Sequence, residues 1–248
     1  MTLSKLRRIH LVETTSTNSY ARELPMDGEA MLITAEHQTA GRGQRGNTWE
    51  SAAGQNLLFS LIVKPEKIPA SQQFVLCELI SVVLCDVLAQ YSTDIRIKWP
   101  NDIYHKDKKL CGILIEHDLE GIHLSRTIIG VGLNVNQSEF TGNAPNPTSL
   151  RQILGHEVER EALLNAIMTR FMELYAKYTS PTPTISRDTL HESYTSRLYR
   201  RGTKATYRDI QGIFTAVLRT VELDGHLLLE DSQNQLHSYL FKEVEYIL

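Results

Sequence analysis

The chain has 248 residues, of which 42% are hydrophobic and 22% charged, with a net charge of −3. That length and balance suit one large domain, or a large domain with a small one beside it, and exclude a low-complexity chain that cannot bury a core. No global basic field advertises nucleic acid or an anionic membrane, so neither is expected as a partner and binding has to be local.

The amino terminus, MTLSKLRRIHLVE, has no long apolar segment. No window approaches the ~20 apolar residues that span a bilayer, so a cytoplasmic location away from membranes is expected. Cys77, Cys85 and Cys111 form no CxxC pair and sit within apolar segments. Buried reduced thiols are expected there.

In chain order, residues 9–12 form a short strand, followed by the polar run ETTSTNS at 13–19. Ser16, Thr17 and Asn18 are helix N-cap types, with a short helix over 20–24 before Pro25 and Gly28. A cap needs only one such residue, so the run either caps that helix or meets a ligand. Residues 30–37 read as a buried strand that delivers the chain into EHQTAGRGQRGN at 36–47. There Gly41, Gly43 and Gly46 free the backbone to fold around an anion, and Arg42 and Arg45 supply charged planar donors. Such a loop is either a solvated turn or a cover over a charged small molecule.

NLLFSLIV at 56–63 has the pattern of a strand covered on both faces. Within 71–91, Leu76, Ile80, Val83, Leu84, Val87 and Leu88 recur at helical spacing, predicting a core helix with one stripe on a sheet. Residues 94–99 form a strand that turns at Pro100, Asn101 and Asp102, and 105–109 is a hairpin tip. LCGILIE at 110–116 returns as a strand in which Gly112 marks a close approach of ligand or backbone. A third strand over 125–135 carries Gly130 and Gly132, which leave one face bare and suit a flat ring on the sheet as well as a bulge. A loop at 140–147 precedes helices at 160–178 and 187–198, joined by SPTPT at 180–184. From about residue 201 the pattern becomes short alternating runs, with Asp224-Gly225 as a hairpin turn. These predict a small barrel packed behind the main domain.

Arg42, Arg45, Lys98 and Lys109 stand in or beside glycine-bearing turns, with Asp102 in the same turn system. Cations meeting one carboxylate suit chemistry on a polyphosphate, where a magnesium ion helps neutralise developing charge. The Walker pattern is absent, and GRGQRG lacks the acidic residue ~20 positions later that a dinucleotide fold needs.

TSTN (15–18), EHQTAGRGQRG (36–46), KWPNDI (98–103), KLCGILIE (109–116) and GVGLNVN (130–136) occur in the order and spacing of biotin protein ligases. The resemblance continues through FTAVLRTVELDGHLLLED at 214–231. It implies an α+β fold: a mixed sheet with flanking helices over 1–198, similar to the class II synthetase-like catalytic fold of biotin and lipoate ligases, then an SH3-like β-barrel over 199–248. It also implies activation of biotin with MgATP to biotinyl-5'-AMP. The biotinyl group would then pass to a lysine of a biotin carboxyl carrier protein or domain, of acetyl-CoA carboxylase or a related carboxylase. A monomer or homodimer would do this.

Carried over by motif, Ser16, Thr17, Asn18 and Gln38 would meet the ureido head of biotin, whose donors and acceptors their hydroxyl and amide groups can match. Gly41, Arg42, Gly43, Gln44, Lys109 and Gly112 would line the rest of the biotin site. Arg42, Arg45, Trp49, Lys98 and Asn134 would meet ATP, with Asn134 at the adenine edge and Trp49 as an aromatic wall. Arg42, Lys109 and Asp102 would be catalytic, Asp102 either binding the metal or assisting the acceptor lysine. Trp99 is expected to pack in the core. The glycine loop would order over the adenylate and keep water from it.

Two departures stand out. Many members carry arginine where this chain has Gln44, and Thr15 lies too near the amino terminus for a preceding helix-turn-helix domain, so a monofunctional type is expected. A lipoate or octanoyl ligase or transferase of the same fold is the alternative within enzymes, disfavoured because an RRxxGGG-type loop is missing. A non-catalytic regulator that binds biotinyl-AMP is the alternative outside them.

Overall fold

A computed structural model describes residues 6–25, 30–142 and 146–247, apart from the Arg45 side chain. Strands β1 (Arg7–Thr14), β2 (Ala30–Gln38), β3 (Leu57–Val63), β4 (Ile95–Lys98), β5 (Asp102–His105), β6 (Lys108–Glu120) and β7 (His123–Leu133) form one sheet in the order β1-β2-β3-β7-β6-β5-β4. β1 lies parallel to β2 and the remaining neighbours are antiparallel, so the sheet is mixed.

Every residue of β3 is buried, as its nearly continuous apolar run predicts. Alternation sends its side chains to opposite faces. Leu57, Phe59, Leu61 and Val63 join the main core, whereas Ile62 packs with Met31, Ile33, Ile128 and Ala21 beneath helix α1 (Thr17–Glu23). Ser60 falls on that second face, inside an otherwise apolar strand.

Helix α2 (Phe74–Leu88) packs near β4 and β5. The expected single apolar stripe is corrected: almost the whole circumference is buried. The outer side is covered by helices that follow α3 (Leu150–Leu154), namely α4 (Arg160–Thr179) and α5 (Arg187–Thr195). By length and composition Ala70–Leu88 could cross a membrane, contrary to the expectation that no window could, but 72% of it is buried inside the fold. An all-round apolar helix is what a covered core position requires. Cys77, Cys85 and Cys111 are free and buried, as expected.

Strands β8 (Lys204–Asp209), β9 (Gly212–Val221), β10 (Leu227–Glu230), β11 (Leu236–Tyr239) and β12 (Glu245–Tyr246) form a second, antiparallel sheet in the order β11-β10-β9-β8-β12, consistent with an SH3-like unit. Its β9–β10 turn grips the main body: Trp99 Nε1 donates to Gly225 O at 2.9 Å, and Arg187 Nη2 to Leu223 O at 2.8 Å. Trp99 is therefore a packing residue, as expected, with its indole N–H satisfied across the junction. Gly225 has φ +100°, and a Cβ there would lie 2.7 Å from Phe74 Cδ2. Backbone strain and overpacking add, so Gly225→Ala is expected to cost about 2–3 kcal/mol of stability. Urea denaturation reads this as a lower midpoint; an unchanged midpoint would mean the turn is not held against Phe74.

Element boundaries shift where tertiary contacts decide them. α1 begins at Thr17 rather than at residue 20, and β6 runs on to Glu120. α3 was not legible as a helix, being a single short turn held by Ser149, whose side chain accepts from Gln152 N.

Candidate active site

Strand register sorts one face of the sheet into rows. Leu58 pairs with Gly132 and Gly132 with Gly112; Ser60 pairs with Gly130 and Gly130 with Leu114; Ile62 pairs with Ile128 and Ile128 with Glu116. Residues two apart on a strand share a face, so these rows lie side by side. A Cβ on Gly132 would lie 2.4 Å from Trp49 Cε2, and one on Gly112 would lie 2.8 Å from Trp49 Cζ3. The first row is thus a bare floor beneath the indole ring. A Cβ on Gly130 would lie 2.1 Å from Asn18 Oδ1, so the second row is the floor beneath that amide. Of the two uses expected for these glycines, the flat ring is found, and the register through Gly130 and Gly132 runs without a bulge.

Over this floor opens a cleft of about 650 Å³. It is lined by Ser16, Thr17, Asn18, Gln38, Arg42, Gly43, Gln44, Trp49, Lys98, Asp102, Lys109 and Gly112, which the sequence had scattered over nearly a hundred positions. Thr17 donates to Gln38 Oε1 from its backbone N at 2.7 Å and from Oγ1 at 3.1 Å. Ser60 Oγ donates to Asn18 Oδ1 at 2.6 Å and lies 2.8 Å from Thr17 Oγ1. Asn18 Nδ2 donates to Glu116 Oε2 at 2.8 Å and to Leu114 O at 3.3 Å. Ser16 takes the N-cap position of α1 but its side chain makes no capping bond, so capping does not account for the polar run.

Glu116 Oε1 accepts from Arg42 Nη2 at 2.6 Å and from Arg22 Nη2 at 3.3 Å. Burial raises the Glu116 carboxyl, but the bonds from Arg42 and Asn18 and the charges of Arg42 and Arg22 outweigh it and hold the group below its ordinary value. A lowered carboxyl contributes stability that is whole above the ordinary value of 4.5 and is lost as pH falls through the folded value. Glu116→Gln is therefore expected to melt below the wild type near neutrality, with the gap closing on acidification. A gap that stays constant between about pH 7 and about pH 3 would contradict this.

At the other end of the cleft Lys109 Nζ lies 2.7 Å from Asp102 Oδ2 and 5.8 Å from the Trp49 ring. Asn101 Nδ2 donates to Ile113 O at 2.9 Å and Tyr194 OH to Pro100 O at 2.6 Å, which pins the Pro100–Asp102 turn between β6 and α5. Lys98 Nζ lies 5.2 Å from the Tyr104 ring and 5.0 Å from the Tyr246 ring, and burial lowers its pKa.

Some expected residues are placed elsewhere. Gly41 does not line the cleft: its carbonyl accepts from Trp49 N at 2.9 Å, and a Cβ there would lie 2.3 Å from Trp49 O, so it lets the two arms of the loop touch. Gly43 lines the cleft, but its N–H is spent on Asn47 O at 2.7 Å. Asn134 is buried away from the lining, its Nδ2 donating to Thr148 O at 2.9 Å, while its Oδ1 makes no bond among the described residues. The Arg45 side chain lies outside the described residues.

Other residues join the site unannounced. Phe241, Lys242, Val244, Glu245 and Tyr246 form a lip of the cleft, so the second sheet is part of the site rather than packed behind it, which corrects the expectation. No local pattern in the sequence marks this lip. Ser60 did leave a signal, as the one hydroxyl in an apolar strand.

Residues 11–134 match the family model described as the biotin/lipoate A/B protein ligase family. The chain is 34% identical over 225 residues to the bifunctional ligase/repressor BirA of Bacillus subtilis, covering 88% of this chain and 67% of that protein. It is 27% identical over 227 residues to the biotin–acetyl-CoA-carboxylase ligase of Paracoccus denitrificans, covering 88% of this chain and 92% of that one. Among solved structures, the biotin protein ligase from Aquifex aeolicus in complex with biotin and ATP matches with a TM-score of 0.80 at 24% identity, over 97% of this chain and 99% of that chain. At that identity the structural match speaks for the fold.

Proposed function

The chain belongs to the biotin/lipoate A/B protein ligase family, and on that premise we propose that its cleft joins biotin to ATP and then to a carrier protein. The chain is an ATP-dependent biotin protein ligase, and a carboxylase carrier is its protein substrate. The observation that supports this cleft as the site is its polarity along one floor. A hydroxyl and amide cluster (Ser16, Thr17, Asn18, Gln38) stands at one end and a cation–carboxylate pair (Lys109, Asp102) at the other, with Arg42 and Trp49 also on its walls.

In the first half-reaction a biotin carboxylate oxygen attacks the α-phosphorus of ATP. The new bond is P–O, the bond to the bridging oxygen breaks, and pyrophosphate leaves with its electrons. Ser16, Thr17 and Gln38 hold the ureido head with groups that donate and accept. Trp49, lying on the Gly112–Gly132 floor, walls off the acyl chain or the nucleotide base from water. Lys109 and Arg42 face the charge that develops on the transferred phosphoryl group. In the second half-reaction the carrier lysine amine attacks the acyl carbon, AMP leaves, and the amine proton is lost; Asp102, paired with Lys109, serves either to receive that proton or to hold the metal.

Asp102 and Glu245 are the carboxylates among the described lining residues. Magnesium takes one or two carboxylates together with substrate phosphates, so this donor set fits it, with Asp102 the candidate holder. When bound, the ion would neutralise phosphate charge. Lys98, gripped between Tyr104 and Tyr246, brings a further cation to the same end.

The test is exchange of labelled pyrophosphate into ATP, which reports the first half-reaction alone. Exchange that depends on biotin supports the assignment; exchange driven by lipoate and not by biotin would assign the cleft to the other branch of the family.

A further inference from the structure

Glu116 closes the KLCGILIE motif, and the two half-reactions above leave its side chain without a task. It lies on the floor face, in the row next to Gly130 and Leu114. One oxygen accepts from Arg42 Nη2 at 2.6 Å and the other from Asn18 Nδ2 at 2.8 Å. Arg42 Nη1 in turn donates to Ser19 Oγ at 3.2 Å, so the guanidinium is held at both terminal nitrogens although its side chain is 42% exposed. A free arginine side chain samples many rotamers, so fixing it beforehand lowers the cost of meeting an anion. The Arg22 contact to the same carboxylate is longer, at 3.3 Å, which makes Arg42 the principal partner.

We propose that Glu116 is a positioning residue that holds the Arg42 guanidinium over the cleft floor for the acyl phosphate and, through Asn18, ties that arginine to the end of the cleft where the ring of the substrate sits. The assignment rests on the ligase function given above. Its physical content is selective. A carboxylate beside a developing phosphate charge repels it, so Glu116 helps only through Arg42 and is idle or harmful without it.

Glu116→Gln separates the two partners. A glutamine can still accept from Asn18 Nδ2 through its amide oxygen, but the amide nitrogen then faces Arg42, which has no acceptor. In biotin-dependent pyrophosphate exchange, Glu116→Gln is expected to lower kcat by about tenfold with little change in the KM for biotin, and Arg42→Ala by about a hundredfold. The double variant should be no slower than Arg42→Ala alone, the signature of one residue acting through another. A second reading does not depend on turnover: phenylglyoxal should modify Arg42 at least about threefold faster in Glu116→Gln, because its guanidinium is released. A further tenfold loss from Glu116→Gln in the Arg42→Ala background, an unchanged kcat, or an unchanged modification rate would each overturn the assignment. Wild-type exchange is measured in the same series. Its absence would overturn the ligase function and this role together, whereas its presence with additive variants overturns the role of Glu116 alone.

Discussion

Lys109→Ala is expected to slow biotin-dependent pyrophosphate exchange by about 10²–10³-fold while the protein stays folded. The side chain contributes a charge at the cleft; the backbone holds the local structure without it. Lys109 N donates to Asn146 O at 2.8 Å and Lys109 O accepts from Thr148 N at 2.9 Å, and neither bond needs the ammonium. What alanine removes is the 2.7 Å pair with Asp102, whose side chains are 29% and 24% exposed. Solvent screening at that exposure limits the loss of stability to about 1 kcal/mol. The expected rate loss is several times larger, so rate and melting temperature should separate cleanly. Lys109→Arg keeps the charge but spreads it over a planar fork and should recover only part of the rate. A Lys109→Ala protein that exchanges at the wild-type rate would remove this residue from the chemistry.

Gly130→Ala should raise the KM for biotin by about a hundredfold, equivalent to ~3 kcal/mol. A methyl at this position would lie 2.1 Å from Asn18 Oδ1 and 2.7 Å from Asn18 Cγ. The amide cannot step aside cheaply, because Ser60 holds its oxygen and Glu116 and Leu114 hold its nitrogen. Overpacking of this kind costs up to about 3 kcal/mol, and at this position most of the loss falls on the site. Shifting Asn18 also drags Thr17, its neighbour on α1, away from Gln38. The check is the KM for biotin with ATP saturating; a value within about twofold of wild type would mean that Asn18 does not shape the biotin end.

Most of the sheet was legible because its strands repeat a simple physical pattern. β3 is apolar apart from Ser60 and β7 carries paired glycines, and each fell where covered strands and bare floors belong. The five motifs gave most of the cleft lining as well, since motif residues cluster on turns and on one strand face. What escaped was set by partners distant in sequence. Helix α2 looked like a one-sided helix because nothing local announces that α4 and α5 will cover its back. The lip at Phe241–Tyr246 reaches the cleft through contacts across the junction, among them Trp99 Nε1 to Gly225 O and Lys98 over the Tyr246 ring. Glu116 is the last letter of a motif, yet the role proposed for it depends on two distant side chains, Asn18 of α1 and Arg42 of the glycine loop. For Asn134 the motif implies the adenine edge, and the fold gives its Nδ2 a partner in Thr148 O that no local pattern announces.

The proposed function assigns both half-reactions on biotin to one cleft. Intact-mass measurement of a biotin carboxyl carrier domain, after incubation with this protein, MgATP and equal amounts of biotin and lipoate, tests it most directly. One biotinyl group on the carrier lysine, dependent on ATP, is the result predicted. A lipoyl group in its place, or an unmodified carrier in the presence of a folded protein, would contradict it.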